Sequence, residues 1–177
     1  MIPEAKVTRT EHGLVPETEG WYVVNAREAR WWRSEAFGAS CDFEGEPRLA
    51  ELGVNVHVLM PGQPNCMYHG ESTQEDFLVL QGECLLLVEG QERRLQAWDF
   101  VHCPPWTEHV FVGSGDEPCL LLAVGARLKG RGLRYRVNET ALKFGAGVEV
   151  ETGNPADAYA RFAELKPVPC PDEFPSD

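Results

Sequence analysis

Residues 61–82, PGQPNCMYHGESTQEDFLVLQG, decide how this chain is read: a turn-rich segment carries His69, Glu71 and Glu75 and leads straight into the apolar run 77–80. In an extended strand, side chains two apart share a face, so His69 and Glu71 address one spot; on a helix they would diverge. A second stretch, residues 98–109, WDFVHCPPWTEH, supplies His109. Two imidazoles with one or two carboxylates, gathered inside a β-barrel, form a donor set suited to a first-row divalent metal.

Working outward, short apolar runs rich in β-branched or aromatic residues recur at 21–24, 54–60, 77–80, 84–88, 100–103, 110–112, 119–124 and 135–137. The turn signals PGQP, QGE, EGQE, CPPW and GSGDEP separate them. Strands this short and regular predict an all-β sandwich or barrel. Alternation is clearest at 54–58, where Val54, Val56 and Val58 make one face and Asn55 and His57 the other. The segment 26–46, with Trp31 and Trp32, adds edge strands. Asn138 caps a short helix that stops at Gly145, and Asn154 caps a second, with Pro155 at its first position, running through 156–165. The proline-rich, acidic tail 167–177 is expected on the surface or mobile. The resulting division is an N-terminal extension with edge strands (1–50), a barrel (51–126), and a C-terminal strand, short helices and tail (127–177).

A chain of 177 residues fits one domain with a substantial core. Lys and Arg number 16 against 28 Asp and Glu, a net charge of −12 that opposes nucleic acid and anionic membrane surfaces as partners. The opening MIPEAKVTRTEHGL has no apolar run behind its charges, and the longest apolar stretch, 119–124, is too short to cross a bilayer. A soluble, cytoplasmic protein is expected. The six cysteines show no C-x-x-C pair, so neither a zinc ribbon nor a thioredoxin-like site is indicated; all six are read as thiols, Cys84 and Cys119 as small core residues. No GxSxG, P-loop or dinucleotide-binding glycine pattern is present, and Ser-His-Asp chemistry has no support.

The two stretches resemble the motifs of the cupin superfamily over roughly 54–124. The first motif has glycine, a His-x-His pair, a glutamate, and a glycine seven positions after it. Gly62, His69, Glu75 and Gly82 fill those places, with Glu71 where the second histidine normally stands and one extra residue between Gly62 and His69. The second motif has glycine, proline, glycine, histidine and asparagine; here Pro104 and His109 are kept, and Trp98, Trp106 and Gly113 occupy the other three places. Only 15 residues, 83–97, separate the motifs, similar to compact microbial cupins. The resemblance implies a double-stranded β-helix (jelly-roll) barrel with short C-terminal helices, and one divalent transition metal (iron, manganese, nickel or zinc) held by His69, Glu71, Glu75 and His109.

Each residue has a plainer reading beside this one. His69 is flanked by Tyr68, Gly70 and Ser72 rather than by a core run, whereas His109 begins an apolar strand and competes with a structural histidine capping the PPWTE turn. Glu75 shares strand parity with Phe77 and Val79; the alternative is a solvated acid, with Asp76 beside it. Glu71 hardens the site towards iron, manganese or nickel, or swings out to solvent and leaves three ligands. His57 and His102 read as structural histidines or as contacts lining the interior, and Trp106 as pocket rim or ordinary packing. Cys66 and Cys103 rank last as thiol ligands.

The resemblance implies oxygenase-, isomerase- or decarboxylase-like chemistry on a small organic molecule, with no residue assigned a catalytic role; His102, Trp106 and Phe111 are read as forming a pocket around the open metal positions. The alternative is a non-enzymatic small-molecule or metal-binding module, and a third reading is a storage or structural barrel. A homodimer through barrel edges is expected, with Trp31 and Trp32 as the candidate buried patch.

Overall fold

The computed structural model describes residues 1–175. Its strands, in chain order, are β1 (Val7–Thr10), β2 (Gly13–Pro16), β3 (Trp31–Ser34), β4 (Gly38–Cys41), β5 (Leu52–Leu59), β6 (Gly70–Glu71), β7 (Glu75–Gln81), β8 (Glu83–Val88), β9 (Gln91–Gln96), β10 (Phe100–Cys103), β11 (His109–Ser114), β12 (Cys119–Ala126), β13 (Leu133–Arg134) and β14 (Lys166–Val168). Helices α1 (Glu139–Lys143) and α2 (Pro155–Ala158) lie between β13 and β14. Seven strands make one antiparallel sheet in the order β10-β7-β12-β5-β4-β3-β14, three make a second in the order β11-β8-β9, and β1-β2 and β13-β6 pair separately. This is the all-β architecture the strand pattern predicts.

The barrel interior is the apolar contact between the two sheets. Leu59, Phe77, Val79 and Leu121 from the seven-stranded sheet meet Cys84, Leu86 and Phe111 from the three-stranded one, all at most 3% exposed. A second cluster covers the outer face of the larger sheet: Trp31, Ala39, Cys41, Val56 and Val58, with Leu120, Leu122, Val168 and Phe174 against them. Strand β12 is therefore apolar on both faces, which is why 119–124 reads as a continuous run rather than an alternation. The alternation at 54–58 is resolved the same way. Val56 and Val58 face outward into the second cluster, and His57 lies on the face that carries Leu59 into the interior.

Both helices start where the sequence places them. Asn138 Oδ1 accepts from Ala141 N–H at 2.9 Å, and Asn154 Oδ1 from Ala156 N–H at 3.1 Å, with Pro155 at the first helical position. The second helix ends at Ala158 rather than continuing to 165. Tyr159 and Phe162 turn inward to pack with Phe37, and the chain then straightens to add β14 to β3.

The tail is a further correction. Pro167 and Val168 form ladder pairs with Trp32 and Trp31, the Phe174 ring packs edge-on to Trp31 at 5.3 Å, and Glu173 bonds Arg33 at 2.7 Å. Ser176 and Asp177, the end of the predicted surface tail, lie outside the described residues. Trp31 is fully buried by this cover, with its indole N–H donated to Ala26 O, so it is not an open patch for a partner. Residues 21–24 are not a strand: Trp21 makes one bridge to Glu4, while Val24 packs on the outer cluster as cover. At 135–137 the paired strand sits earlier, as β13, and Tyr135 forms only a bridge to Thr152. All six cysteines are free thiols.

Candidate metal centre

His69 and His109 pair directly across an antiparallel bridge: His109 N–H donates to His69 O at 2.9 Å and His69 N–H to His109 O at 3.2 Å. Exchange of both bonds is the antiparallel hydrogen-bonded pair, whose side chains leave the same face. Their rings lie 5.3 Å apart. Glu71 follows on β6 with the parity of His69, and Glu75 opens β7 with the parity of the interior residues Phe77 and Val79.

Donor atoms of His69, Glu71 and Glu75 all lie within 4.8 Å of one another. His109 joins them, with Nε2 3.6 Å from Glu75 Oε2, and His69 Nε2 is 3.8 Å from Glu71 Oε1. The orientation of the imidazoles follows from their other nitrogens. His69 Nδ1 is 2.8 Å from Met67 O and His109 Nδ1 is 3.0 Å from Thr107 O. A carbonyl only accepts, so each Nδ1 carries the proton and each Nε2 is turned towards the carboxylates, the tautomer a metal-binding histidine needs. The donor chemistry thus fits a divalent transition metal.

Glu71 points inward and is buried, rather than swinging to solvent. Its Oε2 accepts from the Thr73 hydroxyl at 3.1 Å and from Arg131 Nη1 at 3.2 Å. Burial opposes its charge, but the His69 hydrogen bond, Arg131 and Thr73 together hold its pKa below the ordinary value. Glu75 is pushed up to about 7, by burial first and by the Glu71 charge. His109 is pulled down to about 4 by burial and by neighbouring His69. Burial also works against charge on His69, yet Cys66, Glu71 and Glu75 outweigh it and keep its pKa well above the ordinary value. The opposed shifts of His69 and His109, and of Glu71 and Glu75, come from burial and from the closeness of these charges to one another.

The remaining predicted residues sit elsewhere. His102 points away from the interior, its Nδ1 2.6 Å from Asp76 Oδ1, because it pairs directly with Asp76 across β10 and β7. His57 lies on the interior face, paired with Ser40 of β4, and is not among the gathered donors. Phe111 is fully buried, 5.9 Å from the His109 ring, as packing rather than pocket wall. Trp106 packs at the rim, its ring under the Arg134 guanidinium, and its main-chain N–H donates to Glu71 O. Cys66 Sγ lies 3.7 Å from Nδ1 of His69, the side away from the cluster, and Cys103 is a core thiol pushed up to about 12 by burial. Arg131, Thr73 and Tyr135, whose ring stacks on His69 at 5.8 Å, were not anticipated from sequence. Arg131 stands 60 positions from Glu71, and nothing local announces the contact.

Residues 55–125 match the cupin domain family. The chain carries a cupin domain. The cupin positions explain two conformations in it: Trp98 and Trp106, standing where the second motif has glycine, hold φ of 76° and 70°, the left-handed region glycine would supply. At Gly113, where the motif has asparagine, a Cβ would lie 2.3 Å from Met60 O, so no side chain fits. Asn65 instead reaches β11, its Oδ1 accepting from Phe111 N–H at 3.0 Å.

Among solved structures, the cupin fold is similar to that of a sugar phosphate isomerase from Silicibacter pomeroyi, with 25% identity, a TM-score of 0.51, and coverage of 64% of this chain and 68% of that one. It is also similar to the polyketide cyclase RemF from Streptomyces resistomycificus, at 15% identity, a TM-score of 0.52, and coverage of 60% and 79%; that likeness concerns the fold alone. No curated protein matches the chain.

Proposed function

We propose that the protein binds one divalent transition metal (iron, manganese, nickel or zinc) through His69, Glu75 and His109 with Glu71 as fourth ligand, and acts with it on a small organic molecule. The observation that carries this reading is the shared orientation of the two imidazoles, each anchored by Nδ1–H to a main-chain carbonyl and turning Nε2 to the carboxylates. When bound, such a metal supplies a Lewis acid or an oxygen-activating centre. The chain's own residues prepare the site. Thr73 and Arg131 fix the Glu71 carboxylate, and Tyr135 stacks on His69. Isomerase-, oxygenase- or decarboxylase-like reactions suit this set, and the likeness to a sugar phosphate isomerase supports an enzyme.

One observation favours the alternative, a binding module without turnover: a cavity of about 570 Å³ near the site is lined by none of the four proposed ligands. Elemental analysis of the purified protein, followed by metal-loaded assays with an oxygen electrode and a panel of keto-acid, phenolic and sugar substrates, separates the two. Metal is expected near one equivalent and is lost in His69→Ala and His109→Ala. Full stoichiometry in both variants would show the ligands to be other residues. The proposal includes a homodimer, checked by sedimentation, and a cytoplasmic setting, supported by six free thiols.

A further inference from the structure

The cavity that the proposed metal ligands do not line has a chemistry of its own. Ser40 and His57, directly paired across β4 and β5, contribute polar groups, as do Asn65 and Cys66. Phe37, Tyr159 and Phe162 contribute aromatic surface, Phe37 lying edge-on to the other two at 5.4 and 4.6 Å between ring centres. A volume of about 570 Å³ is ample for a small organic ligand. Only His57, Asn65 and Cys66 of its lining belong to the matched domain; the rest comes from the β3–β4 hairpin and the segment from α2 towards β14.

At His57, Nδ1 is closed even to water and has no hydrogen-bond partner among the described residues, which leaves Nε2 as the ring nitrogen that a molecule in the cavity can reach. With no partner at Nδ1, hydrogen bonding by this ring falls to Nε2, and a polar nitrogen set among aromatic walls is best met by a ligand that pairs with it. No lysine or arginine lines the cavity, and the single charged residue, Glu164, is acidic, so an anionic ligand finds no counter-charge. Glu164 is exposed, so a cation likewise finds no buried counter-charge in the cavity. What remains is an uncharged molecule with an apolar ring and one hydroxyl.

We infer that this cavity is a binding site, separate from the metal centre, for an uncharged cyclic alcohol or phenol whose hydroxyl bonds His57 Nε2 while its ring packs on Phe37, Tyr159 and Phe162. The test is calorimetric titration of the purified full-length protein with 4-methylphenol and with the charged isostere 4-methylbenzoate. The phenol binds with a dissociation constant at or below about 1 mM, and the carboxylate at least about tenfold more weakly. Replacing His57 by leucine weakens phenol binding by about tenfold. Ala163→Trp, a change at an exposed lining position that fills the cavity, abolishes binding and guards against a folding defect in the His57 variant. Metal content stays at the parent value in both variants, which keeps this result distinct from that of the metal proposal. Absence of phenol binding at several times that concentration, equal binding of the carboxylate, or undiminished binding by Ala163→Trp overturns the inference.

Discussion

His69 and His109 differ from His57 and His102 in what their ring nitrogens meet. The first two anchor Nδ1 on a carbonyl and aim Nε2 at carboxylates; His102 uses Nδ1 on Asp76 outside the barrel, and His57 leaves Nδ1 without a partner inside it. The motif spacing made the first pair legible in the sequence. The fate of the second pair depended on which face of β5 and β10 looks inward, and that is set by the cover over the outer face of the sheet, which no local pattern reveals. Burial gives His57 a measurable signature. Its pKa falls from about 6.5 in the unfolded chain to about 4 in the fold, so between those values the unfolded chain holds the extra proton and the native state does not. Stability attributable to His57 is therefore intact above pH 6.5 and lost as pH falls towards 4, by about 3 kcal/mol in all. Urea unfolding of the protein and of His57→Gln from pH 7.5 to 4.5 should show the parent losing stability faster by most of that amount. Parallel pH profiles would mean that His57 ionises freely in the folded protein.

At the scale of elements, the strands of the domain were readable because each short apolar run is bounded by its own turn signal. The helix caps were readable because asparagine accepts from an N–H two or three residues on. What escaped was pairing over long range: the tail's proline and acid content suggested a loose surface segment, yet Pro167 and Val168 complete a ladder and Phe174 covers Trp31. The turns before and after β10 carry a different lesson, since tryptophan occupies two left-handed positions that cupins usually give to glycine. A β-carbon there costs about 1 kcal/mol or more. Trp98 is 75% exposed and gains little packing in return. Trp98→Gly should accordingly be more stable than Trp98→Ala by about 1 kcal/mol in chemical denaturation, reversing the order found at ordinary strand positions. Equal stability of the two variants would argue that the turn relaxes when the indole is removed.

For the whole molecule, a metal held only by the native state ties folding to metal supply. At free metal 100-fold above the dissociation constant the native state gains about 3 kcal/mol, so stripping with a chelator should lower the thermal midpoint by roughly 5–10 °C, and restoring the metal should recover it. A midpoint indifferent to chelation, with metal loss confirmed by elemental analysis, would leave the four side chains without that role. The interface expectation also changes at this scale: β14 covers the β3 edge and Trp31 is buried, so a partner chain has the opposite edge available, where β10 leaves Phe100 65% exposed. That same closure by β14 governs the order of events during synthesis. The Arg33–Glu173 contact joins positions 140 apart in sequence, so β3 and Trp31 must wait without their cover until residues 166–175 have left the ribosome. Until then the nascent chain offers an unpaired strand edge and an uncovered indole, the features chaperones capture, and arrival of the distal segment, rather than collapse of the barrel, sets when the chain can leave them.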